Sequence, residues 1–142
     1  MPEITIIVPG PPVAKGRPVA GRSFGAKQFT TMRTPQNTVI YENHVRQCAF
    51  EAMKGMIPLD GAISVHMVAI FPLVKSLSKK DRQLAIDGVL LPTKKPDVDN
   101  TAKSILDGCN GVVFGDDSQV TELHINKIYG EIPQVIIKVK KV

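Results

Sequence analysis

Residues 96–109 read PDVDNTAKSILDGC, and this stretch predicts the helix around which the fold is built. Its apolar residues recur at i, i+3, i+4 and i+7, which is the spacing of a buried helical stripe: Ala102, Ile105, Leu106 and Cys109. We expect the helix to run from about Val98 to Cys109, because Asn110-Gly111 is typical of a helix end. A second element of the fold must therefore cover this stripe.

The same helix carries a polar ridge beside its apolar stripe. At about 100° per residue, Asp99, Lys103 and Asp107 follow one another along one side of the helix. Asp97 precedes the first turn, where the helix dipole favours negative charge. The following loop carries Asp116-Asp117-Ser118, and a short return would bring it back to the helix start. Carboxylates converging in this way are a reasonable site for Mg²⁺ or Mn²⁺.

Each polar residue of this ridge also has a simpler interpretation. Asp97 or Asp99 can cap the helix, although only one of them can be the N-cap. Asp116-Asp117-Ser118 is also typical of an ordinary turn. Asp107 is better explained as a solvated surface residue than as a ligand. Lys103 is either an ion-pair partner of Asp99 and Asp107, four residues away on each side, or a catalytic cation.

The rest of the chain predicts one α/β (α+β) domain over residues 1–142. Periodicity and turn residues indicate strands at Ile4–Val8, Ile63–Phe71, Gln119–Tyr129 and Gln134–Val142. They indicate further helices from the cap Thr34-Pro35 to about Lys54, and from the cap Ser78 to about Ile86. We therefore expect two layers, with a mixed sheet of about four strands packed against two main helices.

Two segments of this domain carry more specific expectations. The first main helix should bury a stripe made of Tyr41, Val45, Cys48, Ala49, Ala52 and Met53. Residues 10–35 are rich in Gly and Pro and are basic, which predicts a long loop that becomes ordered on its ligand.

Charge and composition restrict the class of partner. The formal net charge is +5 and the isoelectric point is near 9.3, which favours an anionic partner, and nucleic acid over a membrane surface. No run approaches the roughly eighteen apolar residues of a membrane span, and no signal peptide is visible, so we expect a cytoplasmic protein. Cys48 and Cys109 should be reduced, buried thiols. The histidines lack metal-ligand spacing and should lie at the surface or core edge: His44, His66 and His124.

The combined motifs resemble the RusA family of Holliday junction resolvases. The residues that carry this resemblance are Lys95-Pro96-Asp97-Val98-Asp99-Asn100, Lys103, Asp107 and Asp116-Asp117-Ser118-Gln119-Val120. Toward the N-terminus, the stretch from Pro9 to Pro18, and Thr34-Pro35 followed by Tyr41-Glu42, resemble the phage and prophage branch of that family.

The resemblance implies a homodimer that binds four-way DNA junctions and cuts two strands symmetrically with Mg²⁺, for which Mn²⁺ can substitute. It makes Asp97, Asp99 and Asp117 the essential acids and metal ligands, with Asp116 as a further candidate ligand, and Lys103 the essential lysine. Charge alone suggests the residues that contact DNA phosphates: Lys15, Arg17, Arg22, Arg33, Lys94 and Lys95.

Two other functions compete with this interpretation. In a non-catalytic junction- or nucleic-acid-binding module, the acids would be caps and turns, and the basic loop would be the whole function. In a nucleotide-sugar transferase, Asp97-Val98-Asp99 would hold the metal, but such an enzyme needs a Gly-rich nucleotide-binding turn, and the sequence shows none.

Overall fold

The computed structural model describes residues 3–16, 19–22, 30–33 and 35–142, the two short middle segments by their backbone alone. Its main sheet contains four strands: β1 (Ile4–Pro9), β4 (Ile63–Pro72), β5 (Val120–Gly130) and β6 (Gln134–Lys141). Their spatial order is β1–β6–β4–β5. Only β4 and β5 are parallel to each other, and the other pairs are antiparallel. The predicted mixed sheet of four strands is confirmed, and β5 is one of its edges.

The segment predicted as a loop contains two short strands. β2 (Val19–Arg22) and β3 (Thr30–Arg33) form a separate antiparallel pair. Sequence reasoning missed them because four-residue strands between Gly and Pro residues are too short to show an alternating pattern. The rest of the loop prediction, including its ordering on a ligand, concerns residues that lie largely outside the described ones.

The described residues form three α-helices: α1 (Gln36–Met53), α2 (Lys79–Ile86) and α3 (Val98–Cys109). Helices α1 and α3 pack against each other and share the hydrophobic core with the inward residues of the strands. The buried stripe of α1 begins one turn earlier than predicted, at Thr38, and continues through Tyr41, Val45, Ala49 and Met53. Cys48 and Ala52 are only half-buried, because they lie at the margin of this stripe.

The helix ends agree with the sequence where they are described. The Ser78 hydroxyl accepts a hydrogen bond from the backbone N–H of Asp81, at 3.1 Å, and so caps α2 as predicted. The N-cap of α1 is Pro35, whereas Thr34, the predicted cap, lies outside the described residues. Helix α3 spans the predicted residues.

The histidines lie where the sequence places them, but only one of the two cysteines does, because Cys109 is buried whereas Cys48 is half-buried. Both cysteines are free thiols, and burial raises the pKa of Cys109 to about 12. His66 and His124 form a stacked, exposed pair on adjacent strands, with ring centroids 5.3 Å apart. His44 is exposed and contacts the carbonyl oxygen of Pro9. None of the described helices is long and apolar enough to cross a membrane.

Candidate active site at the start of helix α3

The two aspartates at the start of α3 leave their carboxylates exposed. Asp97 is the N-cap residue by position, but its side chain makes no capping hydrogen bond. Its carbonyl oxygen is used instead, accepting from the backbone N–H of Thr101 at 3.0 Å and from the Thr101 hydroxyl at 2.9 Å. Asp99 lies in the first turn and is exposed. The capping interpretation therefore explains the backbone of Asp97 but neither carboxylate.

A lysine on the edge strand fixes the segment that leads into Asp97. The ammonium group of Lys127 donates hydrogen bonds to the carbonyl oxygens of Lys94, at 2.9 Å, and Pro96, at 2.7 Å. It also lies 5.5 Å from the ring centroid of Phe71. Sequence reasoning missed Lys127. Its position in β5 was the available signal. The alternation of this strand predicts an inward side chain at position 127, and a charged side chain that points inward needs polar partners.

Lys103 joins the helix to the following loop. Its Nζ lies 3.2 Å from Oδ1 of Asp107 and 3.3 Å from Oδ2 of Asp117. Asp99 and Asp107 were the two predicted ion-pair partners of Lys103 on the helix. Lys103 pairs with Asp107, but its second partner is Asp117 and not Asp99. The hydrogen bond to Asp107 is the main cause that raises the pKa of Lys103, Asp117 adds to it, and partial burial opposes it.

A second lysine holds the far side of Asp107. Lys15 Nζ lies 2.7 Å from Oε2 of Glu42 and 3.1 Å from Oδ2 of Asp107. Burial acts to lower the pKa of Lys15, but the hydrogen bonds to these two carboxylates outweigh it, and the pKa is raised. The prediction that Lys15 contacts DNA stays a prediction, although in this structure its ammonium group is already engaged by two acids.

Asp107 is thus the centre of a chain of alternating charges, which we call the charge chain: Glu42, Lys15, Asp107, Lys103 and Asp117. The side chain of Asp107 is only 18% exposed, so the prediction of a solvated surface residue is wrong. The reason is that lysines from two different segments converge on it. The charge chain links α1, the segment after β1, α3 and the loop before β5.

The loop before β5 is built as a capped turn, and this separates the roles of its two aspartates. Asp116 caps the 3₁₀ helix Asp117–Gln119, accepting at Oδ2 from the backbone N–H of Ser118. The Gln119 amide oxygen accepts from the backbone N–H groups of Gly115 and Asp116 in return. Hydrogen bonds from Ser118 hold the pKa of Asp116 below its ordinary value. The turn interpretation therefore describes Asp116, while Asp117 turns its carboxylate toward Lys103.

The acids suit a divalent cation in chemistry but not in their present arrangement. Carboxylate oxygens are the ligands that Mg²⁺ prefers. Within the described residues, however, no three His, Cys, Asp or Glu side chains lie close enough together to hold an ion. Asp117 is paired with a lysine, and that ammonium group supplies its counter-charge here.

The predicted DNA contacts divide into described and undescribed residues. Lys94 and Lys95 are exposed and immediately precede Pro96-Asp97. Arg17 lies outside the described residues, and the side chains of Arg22 and Arg33, on β2 and β3, lie outside them as well. The structure therefore brings Lys103 and Asp117 together and places two of the six predicted basic residues beside Asp97.

The chain also matches known proteins in sequence. A protein-family model described as Endodeoxyribonuclease RusA matches residues 9–140, which include every acid and lysine of the candidate site. A Bacillus subtilis (strain 168) protein described as uncharacterized protein YqaN is 36% identical over 141 residues. That alignment covers 98% of this chain and 96% of the Bacillus protein.

Proposed function

This chain belongs to the RusA family of endodeoxyribonucleases, and from that premise we propose that it resolves four-way DNA junctions by paired, symmetric, metal-dependent cuts. The family acts on branched DNA and is generally dependent on divalent metals. One contact supports the proposal at the level of individual residues, and it is the contact between Lys103 and Asp117. It joins a basic and an acidic residue of the predicted catalytic set that are 14 positions apart in sequence.

In the proposed site, Asp97, Asp99 and Asp117 would hold the cation. Mg²⁺ would lower the pKa of a bound water and offset the charge that builds on the phosphate. Asp97 and Asp99 are suitable ligands because their carboxylates are exposed. Within the described residues, neither carboxylate caps the helix. Asp117 can join them once the Lys103 ammonium group moves from its carboxylate to the phosphate.

The charge chain supports one of two roles for Lys103. A lysine that deprotonates water would need a lowered pKa, whereas Asp107 and Asp117 raise that of Lys103. Lys103 is therefore a permanent cation at neutral pH. We assign it to stabilising the negative charge of the transition state, with Asp107 holding it in place.

The substrate contacts follow from charge and symmetry. Lys94 and Lys95 immediately precede Pro96-Asp97 in the chain. We expect them to bind phosphates, together with Arg17, Arg22 and Arg33. A four-way junction has two-fold symmetry, and a homodimer matches it by placing one active site on each of two opposing strands. The cytoplasm of a bacterial or phage-infected cell is the setting in which such a prophage-type enzyme would meet this DNA.

A non-catalytic binding module is the second candidate function. It would require the acids to be structural, and Asp116 is structural, since it caps the 3₁₀ helix. The exposed carboxylates of Asp97 and Asp99 have no capping role among the described residues, so this candidate leaves them unexplained. We therefore prefer the nuclease.

The experiment compares a labelled immobile four-way junction with a linear duplex of the same sequence, in Mg²⁺ or in EDTA. We expect paired nicks in the junction alone and only with the metal. Asp99→Asn should abolish cutting and leave junction affinity unchanged. Asp87→Asn is the matched control, because Asp87 is an exposed residue at the end of α2 and should not affect cutting.

Two results would contradict the proposal. Wild-type cutting rates in Asp99→Asn would remove the acids from the site. Junction binding without cutting, in Mn²⁺ as well as Mg²⁺, would favour the binding module. A thermal shift separates these functions independently, because Mg²⁺ should raise the melting temperature of the wild type but not that of Asp99→Asn.

A further inference from the structure

A cavity of about 450 Å³ lies beside the candidate site. It is formed by the ends of β4 and β5, by α2 and by the segment 90–95 that leads to Asp97. Its position is fixed with respect to Asp97, because Lys127 binds the carbonyl oxygens of Lys94 and Pro96 and so ties this wall to the sheet. The cavity is therefore held in place before any substrate arrives.

The lining combines aromatic rings with exposed cations, and Asp81 of α2 adds one carboxylate on the wall that this helix forms. Phe71 and Tyr129 are direct partners in the pairing of β4 with β5, so their side chains are neighbours on one face of the sheet. Both rings are half-buried. Lys94 and Lys95, which precede Pro96-Asp97 in the chain, also belong to the lining. Flat apolar surface next to positive charge is the combination with which proteins bind single-stranded nucleic acid, since bases stack on rings and phosphates pair with cations.

We propose that this cavity receives one unstacked DNA base next to the cleaved phosphate, with the base stacked against Tyr129 and Phe71. This inference rests on the proposed function, since it names the part of the branched substrate that the site recognises. The cavity volume lies within the range of roughly 300–1,000 Å³ that is usual for small-ligand sites, and a nucleobase fits within it.

The position of the cavity favours DNA over other occupants. Its lining reaches within two residues of Asp97 along the chain, and the two lysines of the lining are the residues that precede Pro96-Asp97. A base bound there and a phosphate at Lys94 or Lys95 would belong to the strand that enters the active site. Apolar residues at the outer rim remain exposed, with Val74 and Leu91 each 46% accessible, so the cavity is open to an entering base.

Base capture also supplies a reason for selecting branched DNA. Extracting a base from an intact duplex costs a few kcal/mol, and the cost is lowest where pairing or stacking is already interrupted. The branch point of a junction is such a place. A site that needs an unstacked base therefore disfavours linear duplex without reading its sequence.

The test combines protein variants with abasic substitutions in the junction. Tyr129→Leu removes the ring, and Tyr129→Phe keeps it and removes only the hydroxyl. A tetrahydrofuran abasic residue replaces one nucleotide at a time around the branch point, and one in the middle of an arm is the control. Affinity is measured in EDTA, where no cutting occurs, and cutting is measured separately in Mg²⁺.

We expect Tyr129→Leu to weaken junction binding about tenfold, in line with the loss of one base–ring stack, and Tyr129→Phe to bind as the wild type does. One abasic position near the branch point should weaken wild-type binding by a similar factor and should not weaken Tyr129→Leu further. The arm-centre control should have no effect on either protein.

Two outcomes would overturn the inference while leaving the nuclease intact: normal affinity of folded Tyr129→Leu, or an abasic scan that is flat for the wild type. The wild-type scan needs no variant, so it decides the matter even if Tyr129→Leu fails to fold. Failure of the proposed function looks different, since the wild type would then not cut the unmodified junction at all.

Discussion

Lys127 donates a hydrogen bond to the carbonyl oxygen of Pro96 over 2.7 Å, and this contact joins the edge strand β5 to the residue before Asp97. The same ammonium group binds the carbonyl oxygen of Lys94. Helix α3 therefore begins at a point fixed by the sheet rather than by its own cap, because the Asp97 side chain makes no capping hydrogen bond. The Asp97 carboxylate is therefore not used in capping and is available for the proposed metal site.

Replacing Lys127 with methionine should impair cutting more than DNA binding. Hydrogen bonds to charged groups contribute about 1.5–3 kcal/mol each, so the change should lower the free energy of unfolding measurably. A displacement of about 1 Å in a catalytic group can cost about a hundredfold in rate. We expect a fall of tenfold or more in the single-turnover cutting rate of Lys127→Met, with junction affinity changed by less than threefold.

Lys138→Met is the matched control for this change. Lys138 is an exposed lysine on β6, and the substitution removes the same charge from the same sheet. Its cutting rate should equal that of the wild type. Equal effects of the two substitutions would mean that charge, and not the two hydrogen bonds, explains the loss. Lys127→Arg should recover part of the activity, because a guanidinium group can still donate to both carbonyl oxygens.

Asp107→Asn tests the charge chain. The substitution weakens the contacts of Asp107 with Lys15 and Lys103, which lie at 3.1 Å and 3.2 Å. Because Asp107 is largely covered, we expect a loss of about 1–3 kcal/mol in the free energy of unfolding by urea. Cutting should also slow, since Asp107 no longer holds Lys103 in place.

Asp60→Asn provides the comparison. Asp60 pairs with Lys141 at 2.7 Å, but its side chain is 93% exposed, so solvent should screen this pair and its removal should leave the urea midpoint unchanged. An Asp107→Asn protein as stable as Asp60→Asn would show that the charge chain does not stabilise the fold.

The stability difference between the wild type and Asp107→Asn should depend on pH. The folded-state pKa values of Lys15 and Lys103 are raised above the ordinary value of 10.5. The stabilisation is therefore fully present below that value and is lost as the pH rises through the folded-state values. Urea unfolding should show a large difference at neutral pH, and the difference should shrink once the pH exceeds the raised pKa values of the two lysines. A constant difference would exclude the lysines as its source. Buried Tyr41 and Cys109 titrate in both proteins and largely cancel.

The sequence predicts those parts of this molecule that depend on neighbours along the chain. The stripe of α3 and the Ser78 cap each rest on residues within two turns of one another. The cap is confirmed. Three residues of the predicted stripe are buried, Ala102, Ile105 and Cys109, whereas Leu106 is only half-buried at its margin. The contact between Lys15 and Asp107 joins residues 92 positions apart, and no local pattern encodes it. Lys127 was missed for the same reason, since its partners are backbone carbonyl groups more than thirty residues away. Side-chain identity suggested the acids, but only the fold shows which of them a lysine already neutralises.

Gly108→Ala should destabilise the protein although alanine is the better helix former. A Cβ at this position would lie 2.7 Å from the Cβ of Val45 and 3.0 Å from the carbonyl oxygen of Glu42, so α1 and α3 would have to move apart. Alanine gains about 1 kcal/mol of helix propensity, whereas overpacking a core costs about 1–3 kcal/mol, and the cost should prevail. Urea unfolding measures the net change.

The same substitution should also slow cutting, because separating the helices moves Glu42 away from Asp107 and prevents Lys15 from bridging them. Adding Val45→Gly to Gly108→Ala removes both Val45 atoms that the new Cβ would meet at 2.7 Å. Gly108→Ala should therefore cost less stability when it is added to Val45→Gly than when it is added to the wild type. If the cost were the same in both backgrounds, the close contact between Gly108 and Val45 would not be the reason for glycine at this position.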